Sequence, residues 1–202
     1  MHDQVLEAAA PDVLRAGVRV SVASIVWTTS TSAAAVVLGI AGGSLVLVAF
    51  GVTGLLDAAG SATLVAHFRH ALHHEAFSER HERLALRVVT TGLVLVGTAT
   101  LIESGHRLVA GSSAETVPAG VVISATSALV LAGLFARKRT VARGIGSRAL
   151  LADAWLSSTG AVLAVVAVVG SGLAGRAEWI DPAAAGAVGI GAITVGVRMA
   201  RG

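Results

Sequence analysis

The chain has 202 residues, of which 54% are hydrophobic and 13% are charged, and its formal net charge is +3. A soluble domain carries about 25% charged residues, so a chain this apolar must lie in lipid, which excludes a soluble enzyme, a disordered regulator and a nucleic-acid-binding domain. It contains no cysteine, which excludes disulfides, thiolate metal sites and a cysteine nucleophile.

Charged residues divide the chain into apolar segments of membrane-spanning length. No charged residue lies between Arg19 and Asp57, and this stretch is too long for one span, so we expect two helices joined by a glycine turn over 41–44. Four later apolar segments complete an all-α, six-helix transmembrane domain over residues 17–199, preceded by a cytoplasmic segment over 1–16. The predicted helices span about 17–40, 45–67, 84–105, 117–136, 149–171 and 181–199.

Basic residues are distributed unequally between the two sides of this predicted bundle. Thirteen of the 15 lysines and arginines lie on the side of the termini, and only Arg107 and Arg176 lie on the other. Short loops rich in Lys and Arg stay in the cytoplasm, so both termini are predicted to be cytoplasmic. The Arg-, Ala- and Gly-rich composition is typical of GC-rich bacteria, so we expect a multi-pass protein of a bacterial inner or plasma membrane.

Carboxylates inside the hydrocarbon are candidate functional groups, because a charge there costs roughly 2.5–3.5 kcal/mol. Asp57 lies near the middle of predicted helix 2, and Asp153 lies about one turn inside the cytoplasmic end of helix 5. For Asp57, a functional role competes with a structural hydrogen bond to a neighbouring helix. For Asp153, the competing role is a favourable interaction with the first turn of its helix. Glu103 and Asp181 lie at span ends, where we expect solvent to reach them.

Two further patterns concern how the helices pack. Helix 1 carries a polar run over 28–32, TTSTS, whose hydroxyls either bond to the preceding helical turn or line a cavity. Helix 6 carries small residues at i, i+4 spacing, which predict close approach of a neighbouring helix; they are Ala183, Ala187 and Gly191.

Imidazoles concentrate after helix 2. The predicted cytoplasmic loop 67–83 holds five of the seven histidines. Three of them, which we term the His cluster, are His70, His73 and His74. If helix 2 continues beyond the membrane, imidazoles at this spacing share a face, and with nearby carboxylates they suit zinc and similar metals. The alternative is a solvated, weakly basic loop. No GxSxG, Walker glycine loop or HExxH template is present, so the sequence predicts no enzyme.

Several segments, taken in order, resemble the transmembrane domain of the cation diffusion facilitator family, proton-coupled exporters of divalent metals. They are GSLVLVAFGVTGLLD (43–57), ERLALR (82–87), ES (103–104), GSRALLADAW (146–155) and WIDP (179–182). The resemblance covers about residues 15–199 and is to a short six-helix form without the C-terminal cytoplasmic domain. It implies a homodimer in the lipid bilayer, with metal cations and protons as partners, no tightly bound cofactor and no nucleic acid.

The resemblance also implies a cation site formed by an i, i+4 pair on helix 2 and another on helix 5. In this sequence the four positions hold Thr53 and Asp57, then Leu156 and Gly160. Only Asp57 keeps a strong ligand, Thr53 offers a neutral oxygen, and the helix 5 pair offers no side-chain ligand. The predicted cation pathway is therefore Asp57, Thr53, Asp153 and Ser157, and the predicted metal ligands are Asp57 and the His cluster.

Two functions are compatible with this pattern. The first is an integral membrane cation transporter with an altered intramembrane site, which exports a divalent metal such as zinc and exchanges it for protons at Asp57. The alternative is a non-transporting relative that acts as a membrane partner or a metal-sensing regulator, since two of the four expected ligands are lost.

Overall fold

The computed structural model describes residues 11–72, 79–111, 116–145 and 148–201. Six α-helices account for nearly all of these residues, and a short 3₁₀ helix, Ala174–Arg176, follows the fifth. The helices are α1 Pro11–Ala41, α2 Leu45–Leu72, α3 Glu79–Ala110, α4 Pro118–Ile145, α5 Arg148–Leu173 and α6 Ile180–Arg201. Each is long and apolar enough to cross a bilayer, so the predicted six-helix membrane bundle is confirmed.

The helices extend beyond the predicted spans, mainly at one end of the bundle. This Arg-rich end holds Arg137, Arg139, Arg143 and Arg198. There, α2 continues to Leu72 and α4 continues to Ile145, because long basic side chains can follow the helix surface towards the headgroups while the backbone keeps its own hydrogen bonds. The described parts of the predicted loop 67–83, which are residues 67–72 and 79–83, are therefore helical. The opposite end of the bundle holds the turn between α1 and α2.

That turn has the geometry that its glycines predict. Gly43 adopts a left-handed conformation with φ of 64°, which glycine reaches without a Cβ clash. The Ser44 amide donates to the Gly39 carbonyl at 2.9 Å, which closes the end of α1. A Cβ at Gly39 would lie 2.8 Å from the Val48 amide nitrogen, so α1 and α2 leave the turn in close backbone contact.

The core lies where α1, α2, α5 and α6 meet. Besides Phe50 and Leu163, it consists largely of alanine and valine, including the fully buried Val46, Ala164 and Val188. In lipid, helices associate through close packing rather than through removal of apolar surface from water. Small side chains at this junction let α2 approach α5 and α6 closely, and α2 therefore passes through the middle of the bundle.

Helices α3 and α6 are also in close backbone contact. A Cβ at Gly97 would lie 2.7 Å from the Gly189 carbonyl oxygen, and a Cβ at Gly189 would lie 2.9 Å from the Gly97 carbonyl oxygen. Gly191, part of the predicted small-residue stripe, instead faces Leu163 of α5, where a Cβ would meet a leucine methyl at 2.8 Å. The small residues of α6 thus serve two neighbouring helices rather than one.

Candidate functional site

A cavity of about 40 Å³ lies inside the bundle and is lined by residues of all six helices. Its volume is enough for about three water molecules. Four of the lining residues are the positions that the family resemblance assigns to the cation site, namely Thr53, Asp57, Leu156 and Gly160. The structure therefore brings the two helix 2 positions and the two helix 5 positions to one place.

Asp57 is the single charged residue among those that line the cavity. Its Oδ1 atom is buried and has no hydrogen-bond partner among the described residues. A buried carboxylate oxygen without a donor is unfavourable. This oxygen is therefore the atom of the cavity that a proton or a cation would stabilise most.

Neutral oxygens supply the rest of the polar lining. The hydroxyls of three cavity threonines donate hydrogen bonds to carbonyls of their own helices: Thr31 to Trp27 at 2.9 Å, Thr53 to Ala49 at 2.7 Å and Thr159 to Trp155 at 3.1 Å. A hydroxyl that donates its hydrogen bond to the helix backbone keeps its oxygen lone pairs as acceptors. These threonines are thus suited to a positively charged guest.

The polar run over 28–32 fills both of the roles considered for it. Thr31 bonds to the preceding turn of α1, and Thr28, Thr31 and Ser32 also line the cavity. Ser32 lies directly against Gly54 of α2, where any Cβ would collide with the serine hydroxyl. The absence of a side chain at Gly54 therefore lets the α1 hydroxyls pack closely against α2, the helix that carries Asp57.

The helix 5 side of the cavity offers no ligand. Leu156 and Gly160 both line it, and neither side chain can bind a cation. A Cβ at Gly160 would lie 3.2 Å from a methyl group of Leu131, so Leu131 of α4 takes part of the space that a longer side chain would need. The lack of a side-chain ligand at Gly160 is therefore compatible with the packing of Leu131 against it.

A buried polar cluster lies beside the cavity, which we term the Lys138 cluster: Ser61 of α2, Lys138 of α4, and Asp153 and Ser157 of α5. Lys138 Nζ lies 2.7 Å from Asp153 Oδ2 and 3.0 Å from Ser157 Oγ. The Ser61 hydroxyl donates to Asp153 Oδ1 at 2.6 Å. The Lys138–Asp153 contact is ionic rather than an aligned hydrogen bond, and both side chains are almost completely buried.

Lys138 corrects the sequence interpretation, which counted it among the loop bases after helix 4. Its side chain is fully buried, because α4 continues past it and Asp153 compensates its charge. Asp153 sits in the sixth position of α5 and is held by side chains from two other helices rather than by the first turn of its own. Of the four predicted pathway residues, Thr53 and Asp57 line the cavity, whereas Asp153 and Ser157 belong to the Lys138 cluster.

The Lys138 cluster lies about one helical turn from the cavity, towards the Arg-rich end. Ser61 follows Asp57 by four residues on α2, and Asp153 precedes Leu156 by three on α5. Residues at these spacings lie on the same face of a helix, with Cβ atoms about 5–6 Å apart. Asp57 and the Lys138–Asp153 pair are therefore near neighbours in the apolar interior.

At the opposite end of the bundle, Asp181 has a structural role. Its side chain accepts a hydrogen bond from the Ser44 hydroxyl at 2.5 Å and another from the Leu45 amide at 2.8 Å. We expected solvent to reach Asp181, but the residue is only 1% exposed. The expectation was wrong because the carboxylate of α6 satisfies a free amide at the start of α2.

Glu103 does face the surface at this end, as expected, with 47% of its side chain exposed. It accepts from Arg107 Nε at 2.8 Å, and the same guanidinium donates to the Gly43 carbonyl at 2.8 Å. At the next residue, the Ser104 hydroxyl donates to the Pro182 carbonyl at 2.6 Å. The ES pair of α3 thus connects to the α1–α2 turn and to the start of α6.

The His cluster lies mostly outside the described residues. His70 belongs to α2, which continues to Leu72, whereas His73 and His74 fall in the segment 73–78, which the structure does not describe. The described part of the chain contains no group of three or more potential metal ligands. Metal binding by the His cluster stays a prediction.

The chain matches the family described as the cation efflux transmembrane domain over residues 21–202. That range contains the cavity, the Lys138 cluster and Asp181, and it includes most of α1 and all of α2 to α6. No curated protein matches the chain. Members of this family are transporters rather than enzymes. With six apolar helices around a cavity that contains Asp57, the protein belongs to the cation efflux, or cation diffusion facilitator, family of membrane cation transporters.

Proposed function

We propose that the protein exports a divalent metal cation, with zinc as the first candidate, in exchange for protons at Asp57. The observation that carries this proposal is the unpartnered, buried Oδ1 of Asp57 in a cavity where three threonine hydroxyls keep acceptor lone pairs. A buried carboxylate with acceptor oxygens around it attracts a positive charge and repels an anion.

The ligand set favours weak binding of a partly hydrated ion. Zinc sites in proteins usually have four N, S or O ligands, whereas the cavity supplies one carboxylate and neutral hydroxyls such as Thr53. Oxygen ligands suit harder cations, and the cavity has room for water to complete the coordination. We therefore expect manganese and iron to compete with zinc at this site.

Proton exchange follows from the single carboxylate. A negative charge in the apolar interior is unfavourable, so Asp57 is stable when it holds either a proton or a cation. An arriving cation displaces the proton, and a proton taken up on the far side releases the cation. Because Asp57 binds both the proton and the cation, each transport step replaces one with the other at the same carboxylate.

The remaining features of the proposal concern the membrane. The concentration of basic residues at the Arg-rich end supports cytoplasmic termini, and the Arg-, Ala- and Gly-rich composition supports a bacterial inner or plasma membrane. The family resemblance supports a homodimer. Both are proposals for the intact protein in its native membrane.

The test is cation flux into vesicles that contain the purified protein. We expect uptake of zinc, manganese or iron that depends on a pH gradient, and we expect Asp57→Asn to abolish it, since an amide cannot exchange a proton for a cation. Glu103→Gln is the matched control, because that carboxylate is exposed and paired at the bundle surface. Unchanged flux in Asp57→Asn contradicts the assigned role of Asp57.

A second candidate function is a non-transporting family relative, a membrane partner or a metal-sensing regulator that uses the His cluster. Leu156 and Gly160 favour it, because both line the cavity without offering a ligand. Wild-type protein that folds in vesicles but moves none of the three metals would support this candidate over transport.

A further inference from the structure

We propose that Lys138 weakens the binding of divalent cations by this protein. Its ammonium group forms an ion pair with Asp153 and so prevents Asp153 from acting as a second carboxylate ligand beside Asp57. The inference rests on the proposed function in one respect, which is that the transported cation binds in the Asp57 cavity.

Both carboxylate oxygens of Asp153 are engaged. Oδ1 accepts from Ser61 at 2.6 Å, and Oδ2 lies 2.7 Å from Lys138 Nζ. The ammonium also donates to Ser157 at 3.0 Å, and its side chain has no exposed surface. Partners from three helices thus hold one amine and one carboxylate together inside the bundle, where solvent does not compete for them.

Stability alone does not explain such a pair. A buried ion pair costs several kcal/mol of lost hydration per ion, and replacement by apolar side chains of similar size is often neutral or stabilising. In a membrane interior the same argument holds, because charges are more costly there than apolar groups. A selective effect on cations provides a reason for two charges at this depth.

Asp153 is close enough to Asp57 to contribute to one site. Ser61, which touches Asp153, is four residues from Asp57 on the same face of α2, and the Cβ atoms of such a pair are about 5–6 Å apart. On α5, Asp153 is one turn from Leu156, which lines the cavity. Without Lys138, the two carboxylates are near enough for one divalent ion and its water to contact both.

The balance of charge gives the direction of the effect. Asp57, Asp153 and Lys138 together carry one net negative charge, which one proton neutralises. A divalent ion at Asp57 leaves an excess positive charge in the apolar interior, and that excess is unfavourable. If the amine is replaced by an uncharged group, the two carboxylates match a divalent ion. Lys138 therefore weakens divalent binding relative to proton binding.

The experiment compares zinc affinity of the purified full-length protein and of Lys138→Met, measured by competition with a zinc-sensitive dye. We expect the variant to bind zinc at least about tenfold more tightly, which corresponds to about 1.4 kcal/mol. The matched control is the double variant Lys138→Met/Asp153→Asn, which also lacks the second carboxylate and should lose the gain. A purely structural lysine would not tighten zinc binding when removed.

A second variant guards against misfolding, because Lys138→Met leaves Asp153 without its counter-ion. Lys138→Gln keeps a hydrogen-bond donor, and it should show the same gain in zinc affinity. If either variant is unstable, added zinc should raise its thermal midpoint more than that of the wild type, and sodium should not. Failure of zinc to rescue unstable variants, or unchanged zinc affinity in folded ones, overturns the proposal.

The results separate this inference from the proposed function. Zinc flux in the wild type without a gain in affinity in either variant supports transport and refutes the role of Lys138. A gain in affinity that depends on Asp153, in a protein that moves no metal, supports the role of Lys138 and refutes transport.

Discussion

Removal of the Asp181 carboxylate should separate the ends of α2 and α6. Asp181→Ala removes the acceptor for two buried donors, the Ser44 hydroxyl at 2.5 Å and the Leu45 amide at 2.8 Å. The amide is one of the free donors at the start of α2 and has no alternative carbonyl within its own helix. We therefore expect the variant to fold with reduced stability rather than with a changed number of helices.

The magnitude follows from the two hydrogen bonds. A hydrogen bond to a charged group contributes about 1.5–3 kcal/mol in soluble proteins. Contributions in membrane proteins are smaller, because the unfolded helices find other partners in the membrane, so we take the lower limit for each. Asp181→Ala should then lower the free energy of unfolding by about 3 kcal/mol. Asp181→Asn keeps one acceptor oxygen and should lose about half as much.

Unfolding in mixed detergent micelles, followed by tryptophan fluorescence, measures this loss. Trp179 lies two residues before Asp181 and reports on the start of α6. Glu103→Gln is the control, because it breaks an exposed ion pair with Arg107 at the same end of the bundle, and such surface pairs contribute little to stability. Equal stabilities of Asp181→Ala and Glu103→Gln would refute the reasoning.

Three further predictions use simpler measurements. Gly97→Ala should lower the free energy of unfolding in the same assay by about 1–3 kcal/mol, because the new Cβ meets the Gly189 carbonyl. The control Gly133→Ala, with open space around it, should be neutral or slightly stabilising, and equal effects of the two substitutions would contradict the close α3–α6 contact. The chain has no cysteine, so Arg143→Cys and Arg176→Cys each give a single thiol, and an impermeant maleimide added to intact cells should modify only the second; the reverse pattern would invert the proposed orientation. Replacement of the whole His cluster by alanine should weaken zinc binding by the purified protein, and unchanged binding would identify a solvated loop.

Features that depend on local sequence were predictable. The number of helices followed from the lengths of the apolar segments, and the turn over 41–44 followed from its paired glycines, one of which adopts the left-handed conformation. The hydroxyls of the run 28–32 were also recognisable, since polar groups in a membrane helix must bond to their own backbone or face a cavity.

Features that depend on contacts between distant residues were not predictable. Lys138 lies between two arginines in a run that is typical of a cytoplasmic loop, and its burial follows from Asp153 on another helix. Asp181 and Ser44 are separated by 137 residues, so nothing near either one indicates their bond. Likewise, the spacing of small residues on α6 shows that a helix packs there, but it does not show that Gly191 faces α5.

The burial of Lys138 has a practical consequence for labelling chemistry. It is the one lysine in the sequence, and its amine has no exposed surface and lies 2.7 Å from a carboxylate oxygen of Asp153. Acylating reagents react with uncharged, accessible amines, so this side chain should resist modification while α4 and α5 stay together. Its acylation rate then reports, without any engineered probe, how often the interior between these two helices opens to water.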